Sequence, residues 1–348
     1  MIEKTDEHKL YALAMSGLGN RQIESAIGHD LTDDERVVVD KARAIIKLRR
    51  AEKRARGPLT SAERKHAAAN KHSLVERLEC ADPKRRKRLE SDPAKWLRWY
   101  LADDFLRTFD RPHLEIIGGA MHAHESGGRF CVAGERGIGK STLLSGIVLF
   151  LVMTGRRRFP VYLPWKEKDM KNGLRFWKKA ICYTERLADD YPEFCAPFVH
   201  ARGQANRMLS LCWADTNEPC GAALQVSEGM IIFPDHLGLI GGSTINGNPR
   251  GLRYPQPGAG TLRPDLALID DPQDRKVARS AALVGETIVK INSDVAGLGT
   301  AGQIIPMMLS GNCIVANDVM AHYMTADGWK STKVSCVESW PKTWADKG

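Results

Sequence analysis

The sequence predicts an α/β fold, a largely parallel sheet flanked by helices, preceded by a small helical region. Three observations carry that expectation. From Phe130 onward, short apolar runs alternate with helical patterns and glycine-bearing loops, the rhythm of buried parallel strands. One run leads directly into a glycine-rich loop and an apolar helix, and another ends in the paired carboxylates Asp270 and Asp271. The composition agrees: 348 residues, 43% hydrophobic and 27% charged, suit a soluble globular chain of two or three domains. The longest apolar run, Gly146 to Met153, is far below the roughly 18 residues of a membrane span. The N-terminus opens no secretory apolar segment. Eight cysteines lie scattered without a C-x-x-C pair, which predicts reduced thiols rather than a disulfide framework or a zinc ribbon.

Taken in chain order, residues 8 to 48 predict three short helices: His8 to Met15, Arg21 to Ile27, and one running on from Asp33. Gln22 and Ile23 open the second after a glycine-bearing turn, compatible with a helix-turn-helix, although any small helical bundle shows the same pattern. Thr60 to Glu63 resembles a capping box, so another helix is expected near residue 61. Tryptophans and apolar residues at helical spacing between Asp92 and Phe109 predict a helix packed on a core. Strands are expected at 130–133, 159–163, 230–233, 266–269 and 313–316. The expected domains are a helical region at 1–57, compatible with a helix-turn-helix, a basic helical linker at 58–97, the α/β domain at 98–330, and the start of a connection to a further domain at 331–348.

Net charge is +9, and its placement is uneven. Between Lys41 and Arg88 there are 17 Lys and Arg against 5 Asp and Glu, so that the remaining 300 residues carry net −3. The runs Lys47 to Arg50, Lys53 to Arg56 and Lys84 to Arg88 repel themselves unless they are solvated or lie along phosphates. A solvated linker and a nucleic-acid contact both fit. Arg156, Arg157 and Arg158 follow an apolar helix, where they either complement its C-terminal dipole or touch DNA or a neighbouring subunit.

The most specific pattern is Gly134, Glu135, Arg136, Gly137, Ile138, Gly139, Lys140 and Ser141, an unbroken G-x-x-x-x-G-K-S between a strand and a helix. Phosphate oxygens need converging backbone N–H groups, which glycines permit, and the helix N-terminus adds its dipole. Lys140 is expected to reach the β- and γ-phosphates, and Ser141 to ligate Mg²⁺. Its partner is Leu266 to Asp271, an apolar strand closed by two aspartates. Asp270 is the expected metal-side carboxylate. Asp271 stands where a base can orient the attacking water, although a turn residue before Pro272 or a support for the metal fits equally. Arg136, inside the loop, can swing over the transferred phosphate as an internal arginine finger.

With these residues in place, the sequence resembles the ATPase domain of bacteriophage terminase large subunits, the motors that package DNA into procapsids. Arg136 to Ser141 looks like that family's R-G-x-G-K-[ST] loop. Tyr191 to Phe194, Pro249 to Arg253, and Arg263-Pro264-Asp265 through Asp271-Pro272-Gln273 are similar to further motifs in the same order. Ser310, Gly311 and Asn312 look like the coupling motif that senses the γ-phosphate, with Asn317 and Asp318 following. The likeness covers roughly residues 98 to 340. It implies ATP and Mg²⁺ as cofactors, with Thr142 and His113 added to the nucleotide-binding set. His113 stands near the place where the family keeps an adenine-reading glutamine. It also implies double-stranded DNA, a homo-oligomeric ring, a portal protein and a small terminase subunit as partners, in the cytoplasm of an infected host cell. Such a protein continues into a nuclease, whereas about 30 residues follow Asp318 and a nuclease needs on the order of 100. Nuclease activity is therefore not expected of this chain. Two other classes stay open: an AAA+-like ATPase remodelling a protein partner on DNA, and a non-hydrolysing, ATP-switched DNA-binding module.

Overall fold

In the computed structural model, the structure describes residues 20–27, 29–40, 73–208, 210–247, 249–256, 260–300 and 302–335. Two compact units divide between Lys71 and His72. The first contains helix α1 (Asn20–Ile27) and helical residues 33–40, with Ile23, Leu31, Val38 and Val39 buried. A reciprocal cap starts the second helical stretch. The Thr32 N–H donates to Glu35 Oε2 at 2.8 Å, and the Glu35 N–H returns to Thr32 Oγ1 at 3.4 Å. The expected helix at His8 to Met15, the capping box at 60–63, and the basic runs at 47–50 and 53–56 lie outside the described residues.

The second unit opens with β1 (Ser73–Val75) and two helices that begin at Asp-Pro steps, α2 (Pro83–Glu90) and α3 (Pro93–Tyr100). Asp82 and Asp92 accept the N–H groups of Arg85 and Lys95, while each proline occupies a position whose N–H has no helical partner. Then come α4 (Arg111–Ser126), β2 (Arg129–Gly134), α5 (Lys140–Met153), β3 (Pro160–Pro164), α6 (Glu167–Tyr183), α7 (Glu185–Asp190), α8 (Pro192–His200) and α9 (Ala205–Met208). Strands β4 (Leu211–Trp213), β5 (Ala223–Gln225), β6 (Met230–Ile232), β7 (Leu239–Gly242), β8 (Tyr254–Gln256), β9 (Gly260–Leu262) and β10 (Leu266–Asp270) follow. The described chain closes with α10 (Arg275–Ala278), α11 (Ala281–Lys290), β11 (Met307–Gly311), α12 (Val319–Thr325) and β12 (Trp329–Val334).

The main sheet runs β12-β2-β11-β10-β3-β7-β6-β5, parallel from β12 through β7 and antiparallel at β6 and β5. Alternation along each strand splits the core into two layers. Phe130, Val132, Tyr162, Leu266, Leu268 and Met308 face one apolar cluster, built with α3 to α6. Cys131, Ala133, Val161, Leu163, Ala267, Ile269, Met307 and Leu309 face the other, with residues of α11 and α12. Helix α5 is buried on all sides, which its nearly uninterrupted apolar sequence requires.

Three features differ from the sequence expectation. The strand expected at 313–316 is β11, six residues earlier, and Cys313 to Ala316 are exposed loop. There, the Ile314 and Val315 N–H groups bond the Asp318 carboxylate, which also caps α12, and this turn overrides the β-branched preference. Residues 331–334 do not leave the domain; they pair in parallel with β2 as an edge strand. Residues 73–97, expected in the basic linker, belong to the second compact unit, where Trp96 and Leu97 are fully buried.

Part of the basic run is consumed in that packing. The Arg85 guanidinium grips the fully buried Asp190 carboxylate at 2.5 and 2.8 Å, and the Tyr100 hydroxyl adds a bond at 2.7 Å. Arg86 pairs with Glu90 and Glu193 and lies over the Tyr191 ring. Lys84, Lys87 and Arg88 remain exposed. The arginines after α5 also make bonds within the unit. Arg156 bonds the Glu90 carbonyl, Arg157 bridges His124 and the Asp265 carbonyl, and Arg158 bonds the His236 carbonyl.

Candidate nucleotide-binding site

Strand β2 ends at Gly134 and α5 begins at Lys140, so the glycine-rich loop joins a central strand to a buried helix. Gly137 and Gly139 take φ of 92° and 80°, conformations that side chains resist, which fold the loop tightly enough for its N–H groups to converge. Lys140, buried to 8% exposure, extends its ammonium along the loop. It donates to the Gly134 and Glu135 carbonyls at 2.7 and 2.8 Å and to Asn312 Oδ1 at 3.1 Å. Ile138 packs at the edge of the core, and Glu135 and Arg136 are exposed.

The loop strand and the aspartate strand are not neighbours: β11 lies between them. That order brings three strand ends to one place. Asp270 shares a face with Leu266 and Leu268, so it points toward α5. There its Oδ1 accepts the Ser141 hydroxyl at 2.7 Å and also the Ser310 hydroxyl from β11, while Oδ2 accepts Tyr162 from β3 at 2.9 Å. Ser310 and Gly311 thus form the end of a strand rather than the turn before one, and Asn312 follows directly above Lys140.

Asp271 leaves the strand with φ of 44°, a left-handed conformation uncommon for a non-glycine residue, its N–H bonded to the Ser310 carbonyl at 2.8 Å. This kink frees its carboxyl from the strand's alternation. The Asp271 side chain is exposed to the cleft, yet surrounding protein and then the Asp270 charge push its pKa up, against the opposing pull of Lys140 and Arg136. It lines a cavity of about 650 Å³ together with Arg136, Trp165, Asp169 and Asn312. A second, of about 250 Å³, lies beside Ser141, Thr142, Tyr162, Asp169, Asp270 and Asp271.

Of the residues singled out in the sequence, the loop from Gly134 to Ser141, Thr142, Asp270, Asp271 and Ser310 to Asn312 converge here. His113 does not join them through any described hydrogen bond. It sits in the first turn of α4, where its Nδ1 accepts the Asp110 N–H and its ring lies 5.8 Å from that of Phe109. Asp318 is a buried helix cap, and Arg250 pairs with Asp294. Three further residues take part to which the sequence assigns no role. Tyr162 holds Asp270, and Asp169 in the first turn of α6 faces both cavities. Gln273, buried, bonds the Asn312 carbonyl and the first N–H of α12.

Hard oxygen donors meet at Ser141 and Asp270, which suits Mg²⁺. Among the described residues no cluster of three or more His, Cys, Asp or Glu can hold a metal unaided. That donor set fits an ion bound jointly by two protein oxygens and a nucleotide's phosphates. When bound, such an ion would neutralise charge developing on the transferred phosphoryl group.

Loop, strand order and paired carboxylate together define a P-loop NTPase fold of the RecA-like class. Among solved structures, the chain is similar to the HK97 bacteriophage large terminase at 14% identity and a TM-score of 0.39, over 68% of this chain and 40% of that one. The chain thus spans about two fifths of the length of that protein. It is also similar to a mutant ATPase domain of the Thermus phage P74-26 large terminase at 12% identity and a TM-score of 0.35, over 63% of this chain and 83% of that one. No protein-family model and no curated protein matches the sequence.

Proposed function

We propose that the chain is the ATP-hydrolysing motor domain of a viral terminase large subunit, moving double-stranded DNA into a procapsid. The observation that carries hydrolysis is the Ser141 to Asp270 pair beneath the loop, with Asp271 and Arg136 sharing one cavity beside it. In this reading Lys140 leaves the loop carbonyls for the β- and γ-phosphates, and the loop N–H groups from Gly134 to Ser141, with Thr142, cradle the nucleotide. Asp271 orients and deprotonates the attacking water, and Arg136 stabilises the transferred phosphate. Asn312, bonded to Lys140 and tied through Gln273 to α12, reports the γ-phosphate to the rest of the domain.

The packaging role rests on the ordered motifs of the sequence, not on the weak structural likeness. It carries with it a homo-oligomeric ring, a portal protein, a small terminase subunit and the cytoplasm of an infected host. The deciding experiment is steady-state ATP hydrolysis with and without double-stranded DNA. Stimulation by DNA is expected. Hydrolysis indifferent to DNA would remove the motor reading, and tight ATP binding with no turnover would favour the ATP-switched binding module.

A further inference from the structure

We infer that Tyr162 is a positioning residue for the Asp270 carboxylate, and through it for the magnesium ligand Ser141. The inference rests on the reading of Ser141 and Asp270 as the metal site.

Strand β3 carries one side-chain polar atom in Pro160 to Pro164, the Tyr162 hydroxyl. In the parallel register Tyr162 lies opposite Leu268 and Pro164 lies opposite Asp270, so the phenol sits one step back on the face that Asp270 shares. Its O–H donates to Asp270 Oδ2 at 2.9 Å, while Oδ1 serves Ser141 and Ser310. Each carboxylate oxygen therefore has its own anchor, and rotation about the carboxylate axis is blocked. A serine hydroxyl whose proton is committed to Oδ1 has its lone pairs turned outward, where a cation can take them. Fixing the plane of Asp270 thus fixes the direction in which Ser141 presents its oxygen.

The phenol is itself held from two sides. Tyr162 is 5% exposed, and Trp177 of α6 meets its ring edge to face at 5.5 Å. Gly173 lets α6 pass directly over the ring: a Cβ there would stand 2.4 Å from Tyr162 Cε1. A packing role alone needs the ring; the geometry uses the hydroxyl.

The test is Tyr162→Phe in the full chain, which keeps the ring and removes the oxygen. Binding of a fluorescent ADP is measured without divalent cation, and then Mg²⁺ is titrated into the nucleotide complex. Expected is unchanged Mg²⁺-free nucleotide affinity, with the Mg²⁺ concentration for half-maximal effect raised by about 10-fold, the scale of losing a group that orients a metal ligand. Ser141→Ala and Asp270→Asn are titrated in parallel. If both lose Mg²⁺ dependence while Tyr162→Phe titrates as the parent chain does, the inference falls and the metal site stands. If neither loses it, the metal-site reading itself falls. Equal weakening of Mg²⁺-free and Mg²⁺-bound nucleotide in Tyr162→Phe would mark a packing role and overturn the inference.

Discussion

The Ser141 hydroxyl donates to Asp270 Oδ1 across 2.7 Å, joining the first turn of α5 to the end of a strand 129 residues later. Asp270→Asn replaces one acceptor oxygen by a donor amide, which cannot serve both a hydroxyl and a cation. Mg²⁺-dependent nucleotide binding should weaken by about 10- to 100-fold, with Mg²⁺-free binding retained. Nucleotide titrations with and without Mg²⁺ measure this, and equal loss in both would refute the metal-side role.

Lys140 and Asp271 should separate binding from chemistry. Lys140→Ala removes the cation that faces the loop carbonyls and Asn312, and hydrolysis should fall by at least about 100-fold. Asp271→Asn leaves the loop intact. It should keep nucleotide affinity and slow single-turnover hydrolysis by about 100-fold or more, the contribution of a positioned base. A variant of Asp271 with parental single-turnover rate would remove it from the chemistry.

What the sequence discloses about this site is what is local in it. The loop from Gly134 to Ser141 is one contiguous turn whose chemistry is set by its own glycines, lysine and serine, and Asp270 is marked by the apolar run that ends on it. Ser310 was legible as a participant but not as a strand end, because the exposed Ile314 and Val315 have the stronger β preference and only the Asp318 turn shows why they stay in a loop. Tyr162 and Asp169 have no local mark, and Gln273 is marked only as the end of the Asp271-Pro272-Gln273 stretch, without a role. Their roles exist only once β3, β10 and β11 are known to be neighbours, and strand order is a tertiary property. β12 is inconspicuous in the sequence for a related reason: an edge strand reading Trp-Lys-Ser-Thr-Lys-Val is mostly solvated and carries a weak apolar signal. Likewise, Arg85 reads as one more solvated cation until Asp190, 105 residues away, is seen beside it.

That ion pair makes the run from Lys84 to Arg88 energetically uneven. Arg85→Ala strands a carboxylate that is fully buried, which should cost about 3 to 5 kcal/mol. Lys84→Ala, Lys87→Ala and Arg88→Ala remove exposed charges and should each stay within about 0.5 kcal/mol. Chemical denaturation of the four variants checks this. Similar stability for all four would mean that the whole run is solvated.

His124 should make stability fall on mild acidification. Burial, then the Arg157 and Arg156 charges, lower its pKa from 6.5 to about 4, and its Nδ1 accepts from Arg157 Nε at 2.9 Å. Below about pH 6.5 the unfolded chain binds a proton that the folded chain refuses, so this contribution is whole above that pH and drains away down to about pH 4. Thermal midpoints of the parent chain and His124→Gln should differ by an amount that shifts against the parent across that window. A difference constant from pH 7 to pH 4 would show that the imidazole titrates normally in the fold.

The basic surplus calls for a deletion that respects the fold. Removing residues 1 to 90 would take away β1, α2 and the Arg85 to Asp190 pair, so lost binding could not be told from lost structure. Removing residues 1 to 71 stops at the boundary between the two compact units and still deletes, from Lys41 to Lys71, 11 Lys and Arg against 2 Glu. If those charges lie along DNA, they displace condensed counterions, and the log of affinity falls with the log of salt by about 0.9 per contacted phosphate. The full chain should therefore show a steep slope with little sequence preference, since phosphate contacts do not read bases. The 72–348 chain should show a flatter slope and weaker binding, with hydrolysis in the absence of DNA unchanged, because the loop, Asp270 and Asp271 are all retained. DNA affinity across a range of low to moderate salt, together with ATPase rates for both chains, decides the matter. Equal slopes would assign the DNA contact to the second unit, where Lys84, Lys87 and Arg88 are the exposed cations of the remaining basic run.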